Sequence, residues 1–370
     1  MTAELLLKTV AQHYSTNRPF VVYSRPINNL VKCWLQQDDT LHITDSFEES
    51  GFAFSPFKLE RGAVIFPKDK CIHHVVTTDD FMVEASDESV NLFSDKKREH
   101  LELIAKGKEA INTGNLTKVV LSRRQSQHID HSNPLAMFKR LFNTYNNAMV
   151  YCWYHPKVGL WLGATPELLF KIEGRELTTI SLAGTKEYND DIPVNWTSKE
   201  KTEQKIVTDY ITSGLDPYVE RLKISDVETV RAGQLLHLKT RIIAQIKRTT
   251  SLKDLVKTLH PTPAVCGFPK HDAMNFILTH EGYDREYYTG FLGELNLKVK
   301  KTRNPNRRNI ENNAYALVSV NSNLYVNLRC MQITKNEIIV YVGGGITKDS
   351  EVEKEWEETV AKSKTILKVL

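Results

Sequence analysis

Five features of this sequence combine residue types and spacings that could do chemistry. Glu200 and Glu203 stand three apart in KEKTEQKIV, and Glu355 and Glu358 stand three apart in EWEETVAK, with Lys362 four residues further on. Positions i, i+3 and i+7 of a helix share a face, so each glutamate pair presents two carboxylates together and Lys362 joins the second pair. Oxygen-only ligands of this kind suit Mg2+, which takes few protein carboxylates and keeps waters or substrate oxygens. The bland reading of an ExxE pair is a solvated helix face. Lys118 lies in the apolar strand pattern KVVLS. A lysine there is either an edge residue or a partly buried amine of lowered pKa, usable as a base. Glu167, in GATPELLF, follows a turn and precedes an apolar run. It is either a general acid of raised pKa or a strand-start glutamate. Arg329 suits a bidentate contact to a carboxylate, or the wet face of a sheet. Gly343-Gly344-Gly345 reads as a turn whose backbone takes positive φ, approaches a ligand and points amides at an anion. Together the closing residues describe a site for an anionic ligand and a hard cation.

The elements that would position these residues can be read from the patterns around them. Strands are predicted at 324–333 and 337–342, joined by a Lys335-Asn336 hairpin turn. The closing helix starts from an Asp349 or Ser350 cap, with Glu353 in its first turn. Glu200 and Glu203 fall on a long helix over 198–222, followed by strands over 226–246. Lys118 opens a strand from 117; further strands are predicted at 149–155, 159–174 and 176–185. Upstream, a helix over 3–14 leads to strand-like pieces at 19–26, 30–36, 51–57 and 62–67. A helix over 96–112 turns Leu101, Ile104, Ala105 and Ile111 to one face and ends at Gly114. Helices are also predicted at 251–259 and 270–280, around the loop HPTPAVCGFP. Strands and helices come in blocks without βαβ alternation, which predicts an α+β fold with large antiparallel sheets.

Composition narrows the class. The chain has 370 residues, 41% hydrophobic and 25% charged, as in an ordinary globular protein with a sizeable core. A net charge of +4 singles out no nucleic-acid face. The basic loop from Lys298 to Arg308 holds no aromatic for base stacking and reads as a solvated hairpin tip. Five widely spaced cysteines without a CxxC pair suggest neither a disulfide framework nor a zinc site, so a cytoplasmic location is expected. The N-terminal MTAELLLKTVAQHYS lacks a basic region and a cleavage site, and no stretch is apolar enough to span a bilayer.

Nine ordered motifs then carry a resemblance: KVVLSR at 118–123, GATPELLF at 163–170, SLAGT at 181–185, EQKIVTDYI at 203–211, HPTPAVCGFP at 260–269, DREYYTGFLGEL at 284–295, NLRC at 327–330, GGGI at 343–346 and EWEETVAK at 355–362. This set resembles the chorismate-utilising enzymes, over about residues 100–370, with residues 1–95 divergent. The resemblance implies one chorismate-binding domain, two large antiparallel sheets packed face to face, helices outside, and a site in the cleft between them. It also implies Mg2+ held by Glu203 and Glu358, with Glu200 and Glu355 acting directly or through water. Arg329, Gly343, Gly344, Lys362 and the Gly184-Thr185 backbone would contact the substrate, and His260 joins that set with no role assigned. Within the family, ammonia-adding synthases carry glutamine where this chain has Lys118, or a lysine nucleophile where it has Ala183. Lysine with alanine is the water-adding pattern, as in isochorismate synthase, with Lys118 as base and Glu167 as acid. One departure is Gln204, where the family usually has histidine beside the metal glutamate.

The second reading is salicylate synthase, which makes isochorismate and then eliminates pyruvate. An anthranilate or aminodeoxychorismate synthase subunit and a non-catalytic chorismate-binding relative stand behind it. The expected product feeds menaquinone, siderophore or salicylate synthesis. A monomer with no obligatory glutaminase partner is expected.

Overall fold

The strand patterns assemble into two antiparallel sheets. The structure, a computed structural model, describes residues 1–78, 96–129, 132–188, 194–232, 235–301 and 317–368. Among the described residues one sheet has nine strands, in spatial order Gly267–Phe268, Lys118–His128, Glu337–Ile346, Cys330–Ile333, Gly159–Thr165, Met149–His155, Phe20–Ser24, Leu30–Gln36 and Cys71–Thr77. The other has ten: Val219–Ile224, Leu235–Ile246, Glu176–Glu187, Leu168–Glu173, Leu317–Val326, Phe291–Lys301, Gly51–Ser55, Ala63–Pro67 and Ile43–Thr44, with Glu228–Ala232 paired onto Leu235–Ile246. Residues 20–77 therefore supply strands to both sheets.

Alternation along each strand turns one set of side chains to the partner sheet. That inner layer is aromatic: Tyr23, Trp34, Tyr151, Trp153, Trp161 and Tyr341 from one sheet meet Phe52, Phe54, Phe66 and Tyr325 from the other. Trp153 stacks on Phe66 at 5.3 Å between centroids. The outer faces are covered by helices. Ala3–Ser15 and Pro134–Thr144 pack on the nine-stranded sheet, Ser198–Leu215 and Leu252–Leu259 on the ten-stranded one. Lys97–Asn112 and Lys270–His280 pack at the Lys118 end.

Several sequence expectations shift. The helix carrying Glu203 ends at Leu215, because the Asp216–Tyr218 turn contains Pro217, and the strand Val219–Ile224 follows. The helix Lys97–Asn112 buries His100, Leu103, Ile104, Gly107 and Ile111, while Ala105 is exposed. The strand expected over 324–333 is two strands in different sheets. Leu317–Val326 belongs to the ten-stranded sheet and Cys330–Ile333 to the nine-stranded one. The chain crosses between them at Asn327–Arg329, with Arg329 at φ 47°. Most of the basic loop expected at 298–308 lies outside the described residues.

Candidate active site

The three glycines are not a turn. They lie inside the strand Glu337–Ile346, with Gly343, Gly344 and Gly345 opposite Ser122, Leu121 and Val120. None has positive φ. Their lack of a side chain serves close approach instead. A Cβ on Gly345 would lie 2.3 Å from Glu203 Oε1 and 3.0 Å from Lys118 Cε. A Cβ on Gly344 would lie 3.6 Å from Glu355 Oε2 and 4.0 Å from Glu358 Oε1. Strand pairing on the far edge stops at Val340, so the glycines border open space there. The Gly343 carbonyl turns to that edge and accepts from Lys362 Nζ at 3.0 Å. The N–H and C=O of a strand residue point the same way, so the Gly343 amide faces the same edge.

That space is a cleft between the sheets. Glu167, Ala183, Gly184, Thr185, Glu203, Arg329, Gly343 to Gly345, Glu358 and Lys362 line it. The C-terminal helix, Val352–Leu367, brings Glu355, Glu358 and Lys362 to one face, with Lys362 Nζ 2.6 Å from Glu358 Oε1. Its N-cap is Glu351 rather than Asp349 or Ser350; Ser350 Oγ accepts from the Thr347 amide at 3.0 Å.

Lys118 is fully buried, its strand covered by the short strand Gly267–Phe268 and its Nζ 2.8 Å from Glu203 Oε1. This is an ion pair in which the ammonium has no well-aligned hydrogen bond. Burial opposes ionisation of Glu203, but Lys118, Lys362 and Lys199 outweigh it and hold the carboxyl below its usual range. Glu167 sits at the bend between Gly159–Thr165 and Leu168–Glu173, its amide donating to Thr165 Oγ1 at 3.2 Å. Burial pushes its carboxyl up to about 7, against the pull of Lys118, Lys362 and Arg329. Arg329 reaches the cleft from the crossing between sheets, its carbonyl held by the Ala164 amide at 3.0 Å. The bulge at Gly184, φ 73°, sets Ala183 and Thr185 in the cleft wall.

Two candidates stand elsewhere or are otherwise engaged. His260 caps the helix Leu252–Leu259 on the outer side of the ten-stranded sheet and does not reach the cleft; its Nε2 lies 3.1 Å from the Phe57 carbonyl. Glu200 closes a capping box: its Oε2 accepts from the Thr197 amide at 2.8 Å and the Thr197 hydroxyl at 2.6 Å. Gln204, the departure from the family pattern, points away from the cleft and donates to Thr208 Oγ1 and Thr240 Oγ1.

Two residues not singled out from the sequence join the site. His237 lines the cleft, its Nδ1 3.1 Å from the Gly184 carbonyl, which places a proton on that nitrogen. Its Nε2 is buried without a partner, and burial first, then Arg329 and Lys362, lower its pKa to about 3. A histidine inside the apolar run LLHL was the available signal. Lys199 pairs with Glu355 Oε1 at 2.5 Å.

The donor set suits a hard cation. Glu355 is buried with Oε2 unpartnered, and burial and neighbouring Glu358 raise its pKa against the pull of Lys199. Among the described residues no three His, Cys, Asp or Glu close around a metal by themselves. Mg2+ needs only one or two carboxylates plus waters and substrate oxygens. Glu358 and Glu355, facing Gly344, with Glu203 beside Gly345, meet that requirement.

A family model described as chorismate binding enzyme matches residues 72–300, and a second one of that description matches 313–368. The chain belongs to the chorismate-binding enzymes. It is 29% identical over 262 residues to the salicylate biosynthesis isochorismate synthase of Pseudomonas aeruginosa, covering 68% of this chain and 50% of that protein. It is 28% identical over 303 residues to the isochorismate synthase MenF of Pasteurella multocida, covering 76% and 64%. The chain thus spans between half and two thirds of the length of these relatives. The solved structure of DhbC from Bacillus anthracis superposes with a TM-score of 0.77 at 22% identity, over 98% of this chain and 99% of that one. This likeness shows the fold, two large antiparallel sheets with helices outside. Among the described residues no helix is long and apolar enough to cross a membrane.

Proposed function

We propose that this protein is an isochorismate synthase, adding water at ring carbon 2 of chorismate with loss of the hydroxyl at carbon 4. The observation that carries the reading is Glu167, a buried carboxyl in the cleft with its pKa pushed up to about 7. Such a group holds a proton near neutral pH and can give it to a leaving hydroxyl. Lys118 takes the proton of the attacking water. For that it acts as the neutral amine, having first given its ammonium proton to solvent on release from its ion pair with Glu203. One water enters and one leaves, so the reaction is a reversible isomerisation.

Arg329 and the Gly343 edge receive the enolpyruvyl carboxylate, with Lys362 beside them. Glu203, Glu358 and Glu355 would hold Mg2+, which when bound supplies the positive charge that lets the ring carboxylate approach the glutamates. The lining residue Ala183 presents no amine to the ring, which favours water over a lysine or ammonia adduct. The names of the two relatives support the same reaction. We read the protein as a cytoplasmic monomer that needs no glutaminase partner.

The test is incubation with chorismate and Mg2+ and no ammonia. Isochorismate as sole product supports the reading. Salicylate with pyruvate moves the assignment to salicylate synthase, and anthranilate or aminodeoxychorismate on adding ammonium moves it to the ammonia-dependent synthases.

A further inference from the structure

Lys199 stands in the first turn of the helix Ser198–Leu215, which packs on the ten-stranded sheet. Its partner Glu355 stands on the C-terminal helix, which lies against the nine-stranded sheet. This ion pair therefore ties the two halves together at the cleft. Glu355 Oε1 takes the ammonium, while Oε2 is buried without a partner on the side of Gly344, where Glu358 Oε1 also faces. Glu203 Oε1 stands beside the next glycine, Gly345, so the ammonium on Glu355 belongs to the same cluster of carboxylates. One ammonium thus lies in the field of all three carboxylates read above as cation ligands. A divalent ion among the same carboxylates would be strongly repelled by it.

We propose that Lys199 is the resident counter-ion of the Glu203, Glu355 and Glu358 cluster, and that it competes with the divalent cation, its ammonium withdrawing toward solvent when the cation enters. The inference rests on reading the cluster as a cation site. Of the three lysines present, Lys199 is the one placed to leave. Lys118 is 0% exposed, and Lys362 is anchored on the Gly343 carbonyl. Lys199 is 22% exposed and sits at a helix start on a flexible four-carbon stem. It is a positioning residue: it keeps three facing carboxylates assembled before the cation arrives, and it sets cation affinity below that of the bare carboxylates.

The experiment is calorimetric titration of Mg2+ alone into metal-stripped protein. The proteins compared are wild type, Lys199→Met, Lys199→Gln, Lys199→Arg and Lys201→Met, the last an exposed lysine on the same helix. Lys199→Met and Lys199→Gln should bind Mg2+ about tenfold tighter or more. Lys199→Arg and Lys201→Met should bind it as wild type does. The metal-free Tm of Lys199→Met should fall below wild type, and saturating Mg2+ should close the gap. Unchanged or weaker Mg2+ binding in the neutral variants overturns the competition while leaving the cation site standing. Wild type that takes up no Mg2+ overturns the cation-site reading itself, and the competition with it. A merely structural ion pair would lower Tm equally with and without Mg2+. Should Lys199→Met fail to fold, the Gln and Arg variants carry the comparison.

Discussion

At neutral pH the Glu167 carboxyl, held near 7 by burial, is protonated in a sizeable fraction of molecules. As the proton donor, it predicts that turnover of chorismate falls as pH rises through about 7, a limb visible in a kcat–pH profile. The same shift is a statement about stability. The folded pKa lies above the unfolded one, so folding is favoured when the carboxyl is protonated and loses stability as pH rises through about 7. Glu167→Gln should therefore be more stable than wild type above pH 8, by roughly 3 kcal/mol and read as a higher Tm, with little difference at pH 4. Lys118→Gln and Glu167→Gln should each abolish conversion while chorismate binding by calorimetry stays largely intact; near-normal turnover in either would reject its role. The types of these residues are legible in the sequence, but their depth is not. Lys118 is buried because a two-residue strand, Gly267–Phe268, covers it and Gly345 lets it lie close. No local pattern announces either fact. His237 and Lys199 are harder still, since their roles come only from what faces them across the cleft.

The glycine run shows the same limit at the scale of elements. Three glycines suit a turn by composition, yet pairing with Val120 to Ser122 makes them strand, and the register decides how much room each leaves: a Cβ on Gly343 would lie 2.8 Å from the Leu121 carbonyl oxygen and one on Gly345 2.3 Å from Glu203 Oε1. Gly345→Ala would drive a methyl into Glu203 and Lys118, whereas Gly344→Ala meets nothing closer than 3.6 Å. Gly345→Ala should lose activity by at least about tenfold through displaced Glu203, with the fold retained by circular dichroism. Gly344→Ala should fold as wild type and affect chiefly KM. Activity of Gly345→Ala equal to that of Gly344→Ala would contradict the register. Arg329 was expected on a strand and instead occupies the crossing between sheets, at positive φ. The apolar, β-branched run on both sides of it disguised the break, because residues of both sheets alternate alike. Helix periodicity was the more reliable guide: it put Glu355, Glu358 and Lys362 on one face, where they stand.

Across the whole molecule the cleft is held open by two sheets that meet through an aromatic layer. Trp153, between Phe66 and Phe54, is central to it. Trp153→Ala should cost about 3–5 kcal/mol, read as a lower urea midpoint. The antiparallel class was legible because strand blocks lack βαβ alternation. The assignment of strands to one sheet or the other was not, since both sheets carry the same period-two pattern. Residues 1–95 diverge from the family motifs for a related reason. Their strands complete both sheets but contribute none of the charged groups gathered around the three glycines. Those groups come from both sheets and from helices outside each. Isolated motifs hundreds of residues apart therefore act only in the assembled fold. The most direct test of their joint action is the product formed from chorismate and Mg2+ without ammonia, resolved by chromatography beside Lys118→Gln. Isochorismate from the wild type and none from the variant is the result predicted. Unconsumed chorismate in both, or isochorismate from the variant at the wild-type rate, would contradict it.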